Sequence, residues 1–543
     1  MPTLNWIGKD KVVNHHMDVP YKILEHQYGY EHGKQSKDET NSGNKIIHGD
    51  NLEALKTLLP EYEGKVKCVY IDPPYNTGSE EWIYNDNVNA PKMKHWLGKV
   101  VGKESEDLGR HDKWLCMIYP RIKLLHKLLA TDGLIFMSLD DNEVENGIII
   151  LNEIFGRKNK LACAPWLAEP SGGKEKTRLR NGHEYILIYH KGDSSSLTQE
   201  ERSSGKLTLK DSIGMYKKGR ELRKWGGTSL RSDREGQWFP LKTPTGEIVY
   251  PYRNDGEEGH WRWGEKQKMK PIIDNPDLAH WELCSYDEGV IVNGESERWV
   301  PFEKIRDKKK MVGWGTWLDS VGFNSDGTAT LKAIFGNKNF DTPKPVTLIE
   351  WLISLHVDED AIVLDSFSGS GTTAHAVLNL NQQDEGNRKF ILVEMEDYAD
   401  SITAERVKRV IDGYGSGDKA VNGTGGSFDY YELGQPLFLD EDVINEEVGL
   451  DKIREYVWFS ETRRPYQEIK TKEEHLLGSA NSTAYYFYYF KDELTTLDDS
   501  FLRSLKTKAE QYIIYADNCV LDAELMQKYH IIFKKIPRDI TRF

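Results

Sequence analysis

An acidic residue, two prolines and a tyrosine, Asp72-Pro73-Pro74-Tyr75, follow directly on the apolar run Val66-Lys67-Cys68-Val69-Tyr70-Ile71. The run reads as a buried strand, and proline cannot continue a strand's ladder, so the chain must turn with Asp72 at the strand's end. An Asp side chain beside the Pro73 carbonyl offers two acceptors to the two hydrogens of an exocyclic amine such as adenine N6. Tyr75 offers an aromatic face on which a base stacks. The same residues also suit a plain strand end in which Asp72 merely caps a turn.

A second segment carries a different chemistry. Ala361-Ile362-Val363-Leu364 reads as a short strand, followed by Asp365-Ser366-Phe367-Ser368-Gly369-Ser370-Gly371-Thr372-Thr373 and a helix-like run from Ala374 to Leu380. Glycines at such a strand-to-helix turn let the backbone approach a ligand, and helix N-terminal amides attract its negative group. The strand-like Phe390-Ile391-Leu392-Val393 then ends at Glu394, the position from which a carboxylate reaches ribose hydroxyls in nucleotide-binding α/β sheets.

Together, the DPPY and FxGxG segments resemble the amino-methyltransferases that use S-adenosylmethionine. The base motif precedes the cofactor motif by some three hundred residues, an order similar to the permuted β class of these enzymes. The flanks narrow the resemblance to the modification subunits of type III restriction–modification systems. They are Ile47-His48-Gly49-Asp50-Asn51-Leu52, the extension Asn76-Thr77-Gly78, Gly133 to Glu143, Asn181-Gly182-His183-Glu184-Tyr185, Phe340-Asp341-Thr342-Pro343-Lys344-Pro345, and the tail Phe533 to Ile540.

The resemblance implies an α/β fold, the Rossmann-like S-adenosylmethionine-dependent methyltransferase fold with a mostly parallel sheet and helices on both faces. It would be circularly permuted, with an inserted target-recognition domain and an α/β C-terminal domain. The implied activity is methylation of N6 of a flipped adenine in double-stranded DNA. Asp72, Pro73, Pro74 and Tyr75 would form the catalytic motif. Asp365, Phe367, Gly369, Gly371 and Thr372 would hold the cofactor, with Glu394 on its ribose and Lys344 on its carboxylate, and Asp50, ending a strand expected beside the DPPY strand, near its base. The resemblance implies a homodimer that also contacts an ATP-dependent restriction (Res) subunit; this sequence has no GxxxxGK[ST] loop to cradle ATP phosphates, so any cleavage in the system would belong to that separate subunit.

Competing chemistries leave different marks. A cytosine C5-methyltransferase uses a Pro-Cys nucleophile, and no Pro-Cys dipeptide occurs here. N4-cytosine enzymes favour Ser, and protein-glutamine enzymes Asn, where Asp72 stands. A solitary methyltransferase and a non-catalytic DNA-recognition subunit are the alternatives in organisation.

The elements that position these residues follow from the spacing. At 543 residues the chain exceeds one ordinary domain. Residues 1–45 read as an N-terminal extension ending in a polar loop, 46–191 as the catalytic half, and 336–415 as the cofactor half. Residues 192–335 are the expected target-recognition domain, and 426–543 the C-terminal dimerisation and partner-contact domain. Trp114 to Leu129 reads as a helix with Pro120 as a kink, and the run Tyr485 to Phe490 as a strand buried on both faces.

Net charge is −15, which argues against a nucleic-acid partner, yet residues 201–230 hold eight Lys and Arg against three Asp and Glu, a local excess of about +5. Residues 431–500 come to about −9. The basic stretch interleaves Arg with Trp, and Arg223, Lys224, Arg231, Arg234 and Arg262 are the expected DNA-binding residues, because Arg holds phosphates and reads guanine edges bidentately. Cys68, Cys116, Cys163, Cys284 and Cys519 are scattered without metal-ligand spacing. Reduced thiols, no metal and a cytoplasmic protein without a membrane span are expected.

Overall fold

The structure is a computed structural model that describes residues 4–77, 109–172, 179–192, 197–202, 205–306, 309–356, 358–439, 443–464, 466, 473–491 and 493–541. Gly78 of the extended base motif lies outside them. The chain divides into two compact units, residues 1–198 with 315–543, and residues 199–314.

The first unit is organised by a ten-stranded sheet. Numbered along the chain, its strands are β1 Lys22–Glu31, β2 Lys34–Ser36, β3 Lys45–His48, β4 Val66–Ile71, β5 Leu129–Leu139, β6 Lys160–Leu167, β7 His183–His190, β8 Ile362–Asp365, β9 Lys389–Glu394 and β10 Ser427–Pro436. In space they run β2-β1-β10-β3-β9-β8-β4-β5-β7-β6. From β10 to β5 every pairing is parallel, while β1 and β7 run antiparallel to their neighbours. Strands covered on both faces are apolar throughout, as β4, β8 and β9 are: Val69, Ile71, Val363, Leu364, Ile391 and Leu392 are all fully buried.

The helices of this unit include α1 Asn51–Thr57, α2 Arg110–Leu128, α3 Asn324–Phe335, α4 Val346–Ser354, α5 Thr372–Asp384, α6 Glu405–Asp412 and α7 Leu450–Thr462. Asp50 caps α1, accepting from the Leu52 and Glu53 amides at 2.9 and 3.2 Å. Pro120 lies within α2, and β5 begins at once at Leu129. Gly327 lets α3 lie directly on the turn before α4: a Cβ there would collide with the Pro343 carbonyl and stand 3.0 Å from that of Lys344.

Four expectations change. The N-terminal segment is no mere extension, since β1 and β2 form one edge of the sheet. Residues 427–436 do not open a separate C-terminal domain; as β10 they pair between β1 and β3. Strand β3 was expected beside the DPPY strand, but β9 and β8 stand between them. Helix α3, inside the expected target-recognition segment, belongs to the first unit.

Beyond α7, strands Leu476–Ala480, Thr483–Phe487, Gln511–Ala516 and Ile531–Lys535 make a smaller sheet. Tyr485, Phe487, Ile513 and Tyr515 join the same apolar core as α7 and the large sheet. The aromatic run is buried from Tyr485 to Phe487, whereas Phe490 is exposed.

The second unit holds the antiparallel strands Ala279–Ser285, Glu297–Ile305, Met215–Glu221 and Leu209–Lys210, side by side in that order. Its core gathers Leu222, Phe239, Leu241, Trp261, Met269 and Ala279. Among the described residues no helix is long and apolar enough to cross a membrane.

Candidate active site

The parallel strands β4, β8 and β9 all end at one edge of the sheet, and each ends in a carboxyl group or leads into one. Register aligns them: Asp365 pairs with Tyr70 of β4 and with Leu392 of β9, two residues before Asp72 and Glu394 respectively. Between β8 and β4 the chain's connections diverge, β8 leading through α5 to β9 on one side and β4 through α2 to β5 on the other. Such a switch point leaves a crevice beyond the strand ends.

A cavity of about 260 Å³ fills this crevice, lined by Asp72, Pro73, Pro74 and Tyr75 from one side and Ser366, Phe367 and Glu394 from the other. The base motif and the glycine-rich loop therefore face one space, although they lie far apart in sequence. Asp365, Gly369 and Thr372 line a smaller adjoining cavity together with Asp72, Lys344 and Phe367.

The loop is held from within. Asp365 accepts from the Phe367 amide at 3.0 Å and the Thr373 hydroxyl at 2.5 Å. Glu394 accepts from the amides of Gly369, Met395 and Glu396 at 2.8, 3.0 and 3.1 Å. Burial pushes both carboxyls up to about 7, against the hydrogen bonds that favour their ionised forms. Gly371 has φ 80°, a left-handed conformation that suits glycine where the loop enters α5. Buried Arg406 supports the loop from α6, donating to the Ser370 and Thr372 hydroxyls at 2.9 and 2.8 Å. Four buried polar atoms beside the cavities have no hydrogen-bond partner among the described residues: Asp72 Oδ1, Asn324 Oδ1, Ser366 Oγ and Ser368 Oγ.

Lys344, expected on the cofactor's carboxylate, is engaged elsewhere. Its ammonium donates to the Tyr75 hydroxyl at 2.7 Å and lies 3.1 Å from both Asp72 Oδ2 and Glu184 Oε2. Three acceptors match the three N–H groups of a lysine. Burial alone would pull the lysine down, but Asp72 and Glu184 hold it above its ordinary value. Burial pushes the Asp72 carboxyl up; Lys344 opposes this and Glu184 adds to it. The Tyr75 hydroxyl donates to Glu184 Oε2 at 2.7 Å.

Asp50, also expected at the cofactor, caps α1 and sits 3.6 Å from Arg121. Its neighbour Asn51 lines the cavity instead, fixed by the Arg121 Nε at 2.5 Å and donating to the Ser366 carbonyl at 3.0 Å.

In the second unit the expected DNA contacts divide. Arg223 is a correction: it is buried, donates to Glu221 at 2.7 Å and stacks over Trp225 at 4.9 Å. Arg262 donates to the Glu221 carbonyl at 2.7 Å, and Arg231 pairs with Glu258 at 2.8 Å. Arg234 is exposed and Lys224 half-buried, and neither has an ion pair among the described residues.

Glu184, Asn324, Asn51, Arg121 and Arg406 are the site residues that sequence reasoning did not single out. Glu184 lay inside a quoted motif, and a charged residue opening an apolar strand was the available signal. Asn324 carried none.

A family model described as "DNA methylase" matches residues 66–405. The chain belongs to this DNA methylase family, whose α/β fold the sheet displays. The chain is 33% identical over 426 residues to the type III restriction-modification enzyme EcoPI Mod subunit of Escherichia phage P1, covering 73% of this chain and 64% of that protein. It is 30% identical over 427 residues to the StyLTI Mod subunit of Salmonella typhimurium, covering 73% and 61%. To the type II methyltransferase M.KpnI of Klebsiella pneumoniae it is 32% identical over 370 residues, covering 66% and 81%. The match thus spans less than two thirds of either Mod subunit's length.

Proposed function

We propose that this protein transfers a methyl group from S-adenosylmethionine to N6 of an adenine in double-stranded DNA, as the modification and specificity subunit of a type III restriction–modification system. The observation that carries this reading is the unpartnered, buried Asp72 Oδ1 in a cavity shared by the base motif and the glycine-rich loop.

The residues fit the cofactor. Phe367 gives an aromatic face suited to a sulfonium, Glu394 and Asp365 are buried carboxyls, and the Ser366 and Ser368 hydroxyls await partners. When bound, that cofactor supplies a sulfonium methyl: the amine's lone pair forms the N–C bond, the C–S pair stays on sulfur, and nitrogen sheds a proton.

Adenine N6 is a poor nucleophile because its lone pair is delocalised into the ring. Asp72 Oδ1 and the Pro73 carbonyl accept its two N–H groups and hold the nitrogen in line. As positive charge grows on nitrogen these fixed acceptors stabilise it, and Asp72 acts chiefly as an acceptor rather than as a strong base. The base must leave the duplex to reach Asp72, and Tyr75 stacks on it, offsetting an unstacking cost of roughly a few kcal/mol.

Lys224, Arg231, Arg234 and Arg262 of the second unit supply the phosphate-binding charge in this reading. The relatives named as Mod subunits of type III restriction-modification enzymes favour a restriction subunit as partner; a homodimer is part of the same proposal.

The test is to express wild type and Asp72→Ala in a methylation-free host and measure methylated nucleosides by mass spectrometry. N6-methyladenine in wild type alone is the expected result. Transfer by Asp72→Ala at the wild-type rate would refute the role of Asp72, and N4-methylcytosine would correct the base.

A further inference from the structure

Glu184 enters the cavity from β7, the strand that runs antiparallel to β5, and so brings its first residues rather than its last to the edge where β4 ends. The register places it there: Ile71 pairs with Met137, and Leu139, two residues on, pairs with Tyr185. Its carboxylate accepts from the Tyr75 hydroxyl at 2.7 Å and the Asn324 amide at 3.3 Å, and stands 3.1 Å from the Lys344 ammonium. Three segments distant in sequence, ending at Asp72, Glu184 and Lys344, thus converge on one ammonium and two carboxylates. Burying three charges costs free energy that an apolar cluster of similar volume would not.

The sum of those charges decides what the site can do. An Asp72–Lys344 pair is neutral, so a positive charge growing nearby would be repelled by the ammonium about as much as it is drawn to the carboxylate. A second carboxylate leaves the trio at one net negative charge, in surroundings where Coulomb forces are weakly screened. Lys344 also holds Oδ2 of Asp72, which leaves Oδ1 as its unpartnered acceptor.

We propose that Glu184 is a positioning residue for methyl transfer: it holds Lys344 and Tyr75 in place and gives the charges around Asp72 their net negative sign. This rests on the methyltransferase reading above. The charged and titratable groups around Asp72 are Lys344, Glu184, Tyr75, Tyr70 of β4 and Asp365 of β8. Glu184 raises Asp72 together with burial and against Lys344, and Asp365 is a second carboxyl that interacts electrostatically with Asp72. Removing the Glu184 charge therefore lets Asp72 ionise at lower pH.

The experiment compares single-turnover methylation of target DNA by wild type, Glu184→Gln and Glu184→Asp across pH, with cofactor affinity measured by calorimetry. For Glu184→Gln the expected result is a transfer rate lower by on the order of 10- to 100-fold at saturating substrates. Its cofactor affinity stays within about threefold of wild type, and the acidic limb of its pH–rate profile moves to lower pH. Glu184→Asp retains the limb of the wild type. A Glu184→Gln rate equal to wild type overturns the proposal. So does a slow variant whose acidic limb has not moved, which would mark Glu184 as a packing residue only. Wild type that binds cofactor yet methylates no DNA overturns the underlying reading instead, and this inference with it.

Discussion

Replacing Trp114 by Phe tests whether the base motif is held by α2. Trp114 is fully buried, and its indole N–H donates to the Pro74 carbonyl at 2.7 Å. On the other flank of Tyr75, the Asn76 amide donates to the Arg110 carbonyl at 3.2 Å and to Glu143, which also accepts from Asn146 at 2.8 Å and stands 2.7 Å from His111. The first turns of α2 thus clamp Tyr75 from both sides. Phenylalanine removes the donor and leaves the Pro74 carbonyl unpaired, costing about 1–3 kcal/mol. The void left by the smaller ring adds roughly 1 kcal/mol. Only the hydrogen-bond part loosens the motif, and at about 1.4 kcal/mol per tenfold it predicts a transfer rate lower by about 5- to 150-fold. Single-turnover methylation measures this, and calorimetry should find cofactor affinity nearly unchanged because the glycine-rich loop is supported separately by Arg406. A transfer rate within about twofold of wild type, alongside a lowered denaturation midpoint, would show that Tyr75 is held without the clamp.

Asp365 and Glu394, both raised to about 7, are largely protonated at mildly acidic pH and ionised above neutrality. Cofactor groups that donate to these carboxylates should bind more tightly as pH rises through about 7, which calorimetry on either side of neutrality checks. The unliganded protein should behave oppositely. A raised carboxyl contributes stability that is fully present below the unfolded value and is lost as pH rises through the folded one, so denaturant midpoints should fall between about pH 4 and 7 from these two groups. In the second unit, Lys224→Ala and Arg234→Ala should each weaken DNA binding and lower the salt-dependence slope by about one. Arg223→Ala should instead unfold that unit at lower denaturant, because it leaves Glu221 buried without its ion-pair partner.

What the sequence made legible was local. The strand ending at Ile71, the strand ending at Asp365 and the turn into α5 each lie in a dozen consecutive residues, and the observed elements Val66–Ile71 and Ile362–Asp365 sit where the apolar runs place them. What it hid was assembled across distance. Nothing near Glu184 signals that Lys344, 160 positions on, shares its charge, and Asn51 is fixed by Arg121 from another helix. Lys344, expected on the cofactor's carboxylate, instead meets three acceptors at 2.7–3.1 Å, Tyr75 and Asp72 of the base motif and Glu184. Arg223 looked like a DNA contact because composition cannot separate a solvated arginine from one buried against Glu221. Strands β1 and β10 were missed for a related reason: polar residues are interspersed along both, and only their pairing shows them to be sheet.

The order of the motifs along the chain is immaterial to the site, and the sheet shows why. Each contributing residue reaches the crevice because its strand ends, or in β7 begins, at one edge. Asp72 leaves β4, Asp365 ends β8, Glu394 ends β9 and Glu184 is the second residue of β7. Register aligns these ends through hydrogen bonds between neighbouring strands, Asp365 with Tyr70 and Leu392, and Leu139 with Tyr185. Such pairings depend on which strands are adjacent, not on which was synthesised first. A chain can therefore place its base motif ahead of its glycine-rich loop and build the same crevice, provided the connection from β7 back to β8 is long enough to return to that edge. Here that return contains residues 199–314, a unit with a core of its own. On the proposed reading, a unit with its own core can vary its surface with the DNA sequence to be recognised while the crevice is kept.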